Sequence, residues 1–311
     1  MLQNENIFNA LIYLKNDFIA HFNYKDYSKH TIESYSRILE TFCEYSSIFK
    51  DEMSLIEINS IFLINFLNYI DKDTKKLSKS TKKHYLTIIK IFFKYINENH
   101  KNLINFEKIF KNVKINGYLS GREEKIVSLN NQEIILLENE LERGKFKECY
   151  NVFRNALLVK LMLFGGLRIS EALNVKLCDF TENTQENLYY LNIPHAKGDK
   201  AQIAYIPFNK IEDEILFFRN RISNDDYIMK TNNGKLLNRS NAFLIVNRIY
   251  KKAKINKQGL HILRHSLAVK LTEADVNLAI IKKILRHSNI TTTTIYAKAT
   301  TKGISEALNR E

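Results

Sequence analysis

Apolar residues recur along most of this chain three or four positions apart, with polar and charged residues filling the intervening positions, which is the spacing of helices that bury one stripe. One such stripe, Tyr35, Leu39 and Phe42, follows Ser28, a residue suited to an N-cap. The same order returns fifty residues later: Ser28, Lys29, Thr31, Tyr35, Ile38, Phe42 and Tyr45 are echoed by Ser78, Lys79, Thr81, Tyr85, Ile88, Phe92 and Tyr95. The echo predicts two helices with related jobs in one small bundle. Residues 111–126 lose the helical period and hold two of the nine glycines, so a linker is expected over 111–127, between a helical domain at 1–110 and a second domain at 128–311.

The second domain opens on a capped start, Asn130/Asn131 followed by Glu133. Helices are expected over 130–142, 148–164 and 169–176, with a turn at Gly165–Gly166. Residues 188–193 and 201–207 alternate as strands do and bracket H-A-K-G-D-K, which predicts a β-hairpin turning near Gly198–Asp199. Further helices are expected over 239–253, 260–274 and 277–286, then one carrying Tyr296 and capped from the run Thr291 to Thr294. The fold class is therefore mainly α with one small β-sheet in the C-terminal domain. Only nine glycines and two prolines interrupt 311 residues.

Charge narrows the partners. The net charge is +13, and it is shared: residues 1–115 carry 17 basic and 13 acidic side chains, the remainder 30 and 21. Basicity in both halves suits a polyanion gripped by two domains, although a generally basic soluble protein would show the same totals. The second echo helix begins in T-K-K-L-S-K-S-T-K-K-H (74–84), where Lys79, Lys82 and Lys83 are candidate phosphate contacts and a solvated helix end is the alternative. Cys43, Cys149 and Cys178 imply neither a disulfide framework nor a thiolate zinc site. No signal-peptide order or bilayer-length apolar run is present, so a cytoplasmic protein without membrane insertion is expected.

Candidate chemistry gathers in three strings, G-L-R-I-S-E (166–171), H-I-L-R-H (261–265) and I-L-R-H-S-N-I-T-T-T-T-I-Y (284–296). Arg168 and Glu171 stand three apart at a helix start, so the carboxylate can orient a partly buried arginine; an ordinary surface ion pair has the same spacing. His261 and Arg264 share a face and can serve one phosphate, while Ile262 and Leu263 turn to the core. His261 and His265 also make an H-x-x-x-H pair, but the zinc-hydrolase form needs Glu where Ile262 stands, and His265 is expected in a supporting or packing role. Lys197 lies at the hairpin turn, where its stem can swing into a neighbouring site, as can that of Lys200. Arg168, Arg264, His261, His287 and Tyr296 together suit a metal-free attack on a phosphodiester. Arginine forks fit phosphate oxygens, histidine moves protons near neutrality, and a phenolic oxygen can bond to phosphorus and later leave.

In these ordered strings the chain resembles the tyrosine recombinases of the site-specific integrase family, in layout the Xer-type enzymes. The S-K-x-T-x-x-x-Y pattern of the echo extends the resemblance to the family's N-terminal domain. It implies a two-domain, C-shaped clamp, with a SAM-like helical core-binding bundle joined to a catalytic domain. It also implies Tyr296 as nucleophile, Arg168, Arg264 and His287 as phosphate-binding residues and Lys197 as general acid. His261 would be an acid/base or hydrogen-bonding partner, and Glu171 the supporting carboxylate. The implied reaction needs no cofactor: strands are cut and rejoined through a 3′-phosphotyrosyl bond by a homo-tetramer on two double-stranded DNA sites, with an activating partner protein as a further possibility. Nucleoid association and a role in chromosome or plasmid dimer resolution would follow, the expectation being that no arm-site domain precedes the bundle. A mobile-element integrase or transposase, a type IB topoisomerase-like enzyme and a silent architectural DNA-binding protein are the alternatives. Two positions depart from the family pattern: Leu260 stands where Pro is common, and Arg286 where Gly is usual, either adding charge beside the phosphate or facing solvent.

Overall fold

A computed structural model describes residues 5–25, 27–72, 77–100, 103–110, 113, 126–194 and 201–286. The chain divides into two compact units, Met1–Glu123 and Glu124–Glu311. The expected linker at 111–127 falls almost wholly outside the described residues.

The first unit is helical: α1 (Ile7–Tyr24), α2 (Lys29–Ser46), α3 (Ser60–Lys72), α4 (Lys79–Asn99) and the short α5 (Phe106–Phe110). The sequence echo is a structural one. Ser28 and Ser78 cap α2 and α4 identically, each side chain accepting from the backbone N–H three residues on, Thr31 at 3.3 Å and Thr81 at 3.1 Å. From position 31 to 43 and from 81 to 93 the alternation of exposed and buried positions matches except at 34 and 84. Those two residues meet, Ser34 Oγ lying 3.4 Å from His84 Nε2. Helical stripes of Phe and Ile then close one core: Phe18 of α1 packs against Phe92 with ring centres 5.3 Å apart, and Phe42 of α2 against Phe66 of α3 at 5.0 Å. Asp17 ties α1 to the end of α4, accepting from the Tyr95 hydroxyl at 2.7 Å and lying 2.9 Å from His100 Nε2.

In the second unit follow α6 (Asn131–Lys145), α7 (Tyr150–Leu163), α8 (Ile169–Leu173), three strands, α9 (Phe208–Arg219), α10 (Arg239–Lys252), α11 (His261–Glu273) and α12 (Leu278–Leu285). Asn130 caps α6 and Glu133 reaches back to the Asn130 N–H, a reciprocal pair that the sequence spacing predicts. The strands β1 (Phe180–Asn183), β2 (Leu188–Ile193) and β3 (Gln202–Pro207) form an antiparallel sheet in the order β1-β2-β3. Ile193 pairs with Gln202, so β2 and β3 are the two expected strands, while β1 and α9 are additions to the sequence reading. The hairpin turn itself lies outside the described residues. α7 runs through the centre, where almost every residue from Phe153 to Leu163 is buried. Lys160 is buried there too, but its ammonium donates to Glu142 at 2.9 Å and to Glu214 at 2.8 Å, so its charge is paired. No helix among the described residues is long and apolar enough to cross a membrane.

Phe42 and Phe92 are both fully buried at corresponding positions of the echo. Phe42→Ala and Phe92→Ala are each expected to cost about 3–5 kcal/mol, and to agree within about 1 kcal/mol, in urea unfolding of the full chain. A cost below about 1 kcal/mol for either one would break the equivalence of the two helices.

Candidate active site

The site is built on the turn between α7 and α8. Gly165 has no room for a side chain, because an added Cβ would lie 2.7 Å from Ile206 Cγ1 and 2.8 Å from the Leu161 carbonyl oxygen. Gly166 has φ +60°, a left-handed conformation that an L side chain enters at a cost. These two residues let the chain double back and start α8 at Arg168, whose side chain remains partly exposed.

Glu171, one turn into α8, is buried and organises its surroundings. Its Oε2 accepts from the Arg168 backbone N–H at 2.8 Å and its Oε1 from Arg168 Nη1 at 2.7 Å. The backbone contact closes the helix start and the side-chain contact fixes the direction of the guanidinium. A third donor is Arg286, whose Nη2 lies 2.9 Å from Glu171 Oε2. Burial alone would raise the Glu171 carboxyl. The Arg286 charge and the hydrogen bonds from Arg168 and Arg286 outweigh it and hold the group below the ordinary carboxylate range. It is therefore ionised whenever the protein is folded near neutral pH.

Arg264 arrives from the first turn of α11, buried, with Nη1 donating to the Gly166 carbonyl and Nη2 to the Leu285 carbonyl at the end of α12. It thereby ties α11 and α12 to the turn that presents Arg168. Arg286 is the surprise. It neither faces solvent nor extends beside the site; it is 7% exposed and turned inward, because the acceptors at Gly165, Gly166 and Glu171 satisfy its guanidinium there. Its backbone is left-handed, with φ 55° and ψ 46°, a conformation costing an ordinary residue roughly 1–2 kcal/mol. Arg168 Nη2 donates to the Arg286 carbonyl at 3.1 Å, closing a ring of contacts.

His261 is the first residue of α11 and opens to solvent, with the His265 ring one turn behind it at 6.3 Å between ring centres. Partial desolvation and the positive charges of Arg239, Arg264 and Arg168 lower the His261 pKa. Burial, then His261 and Arg264, do the same for His265. His261, His265, Arg239 and Gln258 line one cleft. Arg239, in the first turn of α10, has no motif to announce it, and only the fold brings its charge to His261. Arg168 and Glu171 from one stretch and His261, Arg264 and His265 from another are thus drawn together. Lys197, His287 and Tyr296 lie outside the described residues. Of the three lysines flagged in the first unit, Lys79 and Lys83 are exposed, and Lys82 is half-buried in an ion pair with Asp71. Among the described residues no three His, Cys, Asp or Glu side chains converge as a metal ion would require.

Residues 129–302 match the phage integrase family, more than half of the chain. The chain belongs to that family. Among its relatives are the tyrosine recombinase XerH of Campylobacter jejuni, 29% identical over 272 residues covering 85% of this chain and 74% of that one, and XerH of Helicobacter pylori, 28% identical over 291 residues covering 89% and 78%. Among solved structures, XerH site-specific recombinase bound to difH substrate in a pre-cleavage complex is similar, with TM-score 0.72, 27% identity and coverage of 90% of this chain and 79% of that one. The corresponding post-cleavage complex gives TM-score 0.71 at 26% identity. The expected mainly helical recombinase fold with one small sheet is the fold observed, and the chain is Xer-like within the family.

The lowered pKa of His261 has a definite sign. The folded state resists protonation, so stability from this ring is fully present above pH 6.5, the ordinary value, and is lost as pH falls from there through the folded-state pKa. In a proton NMR titration the His261 ring is expected to titrate below 6.5, and Arg239→Gln to move it upward. A wild-type value at or above 6.5 would contradict the charge environment described.

Proposed function

We propose that this protein is a site-specific DNA recombinase that cuts and rejoins DNA through a phosphotyrosyl bond made by Tyr296. The observation that carries the reading is the pair Arg168 and Arg264, both fixed on the Gly165–Gly166 turn, one by Glu171 and the other by backbone carbonyls. Guanidinium groups held this rigidly are suited to negative charge developing on phosphate oxygens, and loss of one such donor typically costs about 3–4 kcal/mol of transition-state stabilisation. The family match runs through residue 302 and so includes His287 and Tyr296.

In the proposed reaction the Tyr296 oxygen attacks phosphorus, the bond to the 5′-oxygen breaks, and a 3′-phosphotyrosyl ester and a 5′-hydroxyl result. A neutral His261 is able to take up a proton, and Lys197 delivers one to the leaving 5′-oxygen. His287 joins the two arginines at the non-bridging oxygens. The ester conserves the energy of the phosphodiester, so the 5′-hydroxyl of a partner strand rejoins it without ATP. Four copies acting on two duplex sites would exchange strands in pairs, an activating protein being a further component. The first unit would serve as the core-type DNA-binding domain, with Lys79 and Lys83 toward the phosphate backbone. Resolution of chromosome or plasmid dimers, in the cytoplasm and on the nucleoid, is the role proposed from the Xer resemblance, with integration of a mobile element as the alternative.

Covalent trapping tests the assignment and finds the target together. The full chain is incubated with sheared genomic DNA from its source, denatured, and the protein-linked fragments are sequenced. Wild type is expected to yield one recurrent site, and Tyr296→Phe to bind DNA but yield no adduct. A surviving adduct removes Tyr296 from its role.

A further inference from the structure

Arg286 stands immediately before His287, where the family pattern has glycine, and its backbone keeps the left-handed conformation that glycine favours. A long side chain at such a position is held against the preference of the backbone, so its contacts must explain it. Nη1 donates to the Gly165 carbonyl at 3.2 Å and to the Ile284 carbonyl at 3.0 Å. Nη2 donates to the Gly166 carbonyl at 3.1 Å and to Glu171 Oε2 at 2.9 Å. Both ends of the fork are therefore spent on protein oxygens. The side chain is buried, and its Nε is buried too, with no acceptor among the described residues. Such a group is poorly placed to touch DNA.

We propose that Arg286 is a positioning residue that sets the two phosphate-facing arginines, acting through them rather than on the phosphate. Glu171 accepts from both Arg286 and Arg168, and the Gly166 carbonyl accepts from both Arg286 and Arg264. Arg286 thus shares one acceptor with each of the two arginines, and its own carbonyl receives Arg168 as well. Remove the side chain, and among the described residues Glu171 Oε2 keeps only the Arg168 backbone N–H, so the carboxylate that aims Arg168 gains freedom to turn. The Gly165–Gly166 carbonyls lose a clamp at the same time. A lysine would retain the charge but lacks the planar fork that reaches a carboxylate and two successive carbonyls together. A gap of this kind need be only about an ångström to matter, since a displacement of that size in a reacting group costs on the order of 100-fold in rate.

The inference rests on the assignment of Arg168 and Arg264 to the scissile phosphate, and the test separates the two. Single-turnover cleavage and equilibrium affinity are measured on a nicked suicide duplex carrying the trapped site, with thermal unfolding alongside. Arg286→Gly suits the left-handed backbone; it is expected to slow cleavage roughly 10- to 100-fold while affinity stays within about twofold. Arg286→Lys is expected to recover only part of the rate. In the double variant with Arg168→Lys, the losses are expected not to add, because both changes disturb the same guanidinium. Cleavage by Arg286→Gly at the wild-type rate, a loss that adds in full to that of Arg168→Lys, or affinity falling in step with rate would overturn the proposal. So would full activity of Arg286→Lys, which also decides the matter should the glycine variant fail to fold. If Arg168→Lys itself cleaves at the wild-type rate, the phosphate-site assignment has failed and Arg286 has nothing to position.

Discussion

A single buried carboxylate holds the candidate site together. Glu171 accepts hydrogen bonds from the backbone and the guanidinium of Arg168 and from the guanidinium of Arg286. Clustered arginines repel one another, and at this depth water cannot screen them well. An ionised carboxylate among them offsets part of that repulsion and gives each fork a direction. The balance remains positive, which is the condition for drawing a phosphate. Breaking a buried pair of this kind by removing one partner typically costs about 3–5 kcal/mol, because the remaining charge stays buried. Glu171 is therefore as much a structural requirement of the second unit as a feature of its chemistry.

The rest of that unit reads as support for this cluster. The Gly165–Gly166 turn is shaped by close packing against Ile206 of β3 and by a left-handed backbone, and its carbonyls become acceptors for arginines from α11 and from the end of α12. α11 brings His261 and Arg264 on one face because they are three residues apart, and its Ser266 accepts from the Leu129 backbone N–H at 2.7 Å, anchoring the helix to the start of the unit. Partial desolvation, and then the positive field that suits a phosphate, lower the His261 pKa, so the surroundings that favour an anion also favour the uncharged ring.

Local sequence signals carried much of this architecture. The caps at Ser28, Ser78 and Asn130, the fifty-residue echo and the two long strands all depend on short-range spacing, and all appear where spacing put them. Arg168 with Glu171 and His261 with Arg264 were legible for the same reason. What escaped was tertiary. β1 is four residues long and gains its identity only by pairing with β2, and nothing within Phe180–Asn183 announces a strand. Arg239 reaches His261 only through the fold. Arg286 is expected beside the phosphate or in solvent, since an arginine near a helix end usually points outward; the buried Glu171 carboxylate and the Gly165 and Gly166 carbonyls draw it inward instead. The ion pair of Lys82 with Asp71, eleven residues earlier, is likewise not signalled by local spacing.

On the proposed reading, Arg168 and Arg264 meet charge on a phosphate. Replacing one non-bridging oxygen of the scissile phosphate by a methyl group removes that charge and leaves the reacting phosphorus in place. Single-turnover cleavage of the charged and the methylphosphonate duplexes, each with wild type, Arg168→Ala and Arg264→Ala, compares the two demands directly. The arginine variants should be slowed on the order of 100- to 1,000-fold on the charged linkage and far less on the neutral one. Equal losses on both linkages would contradict the account.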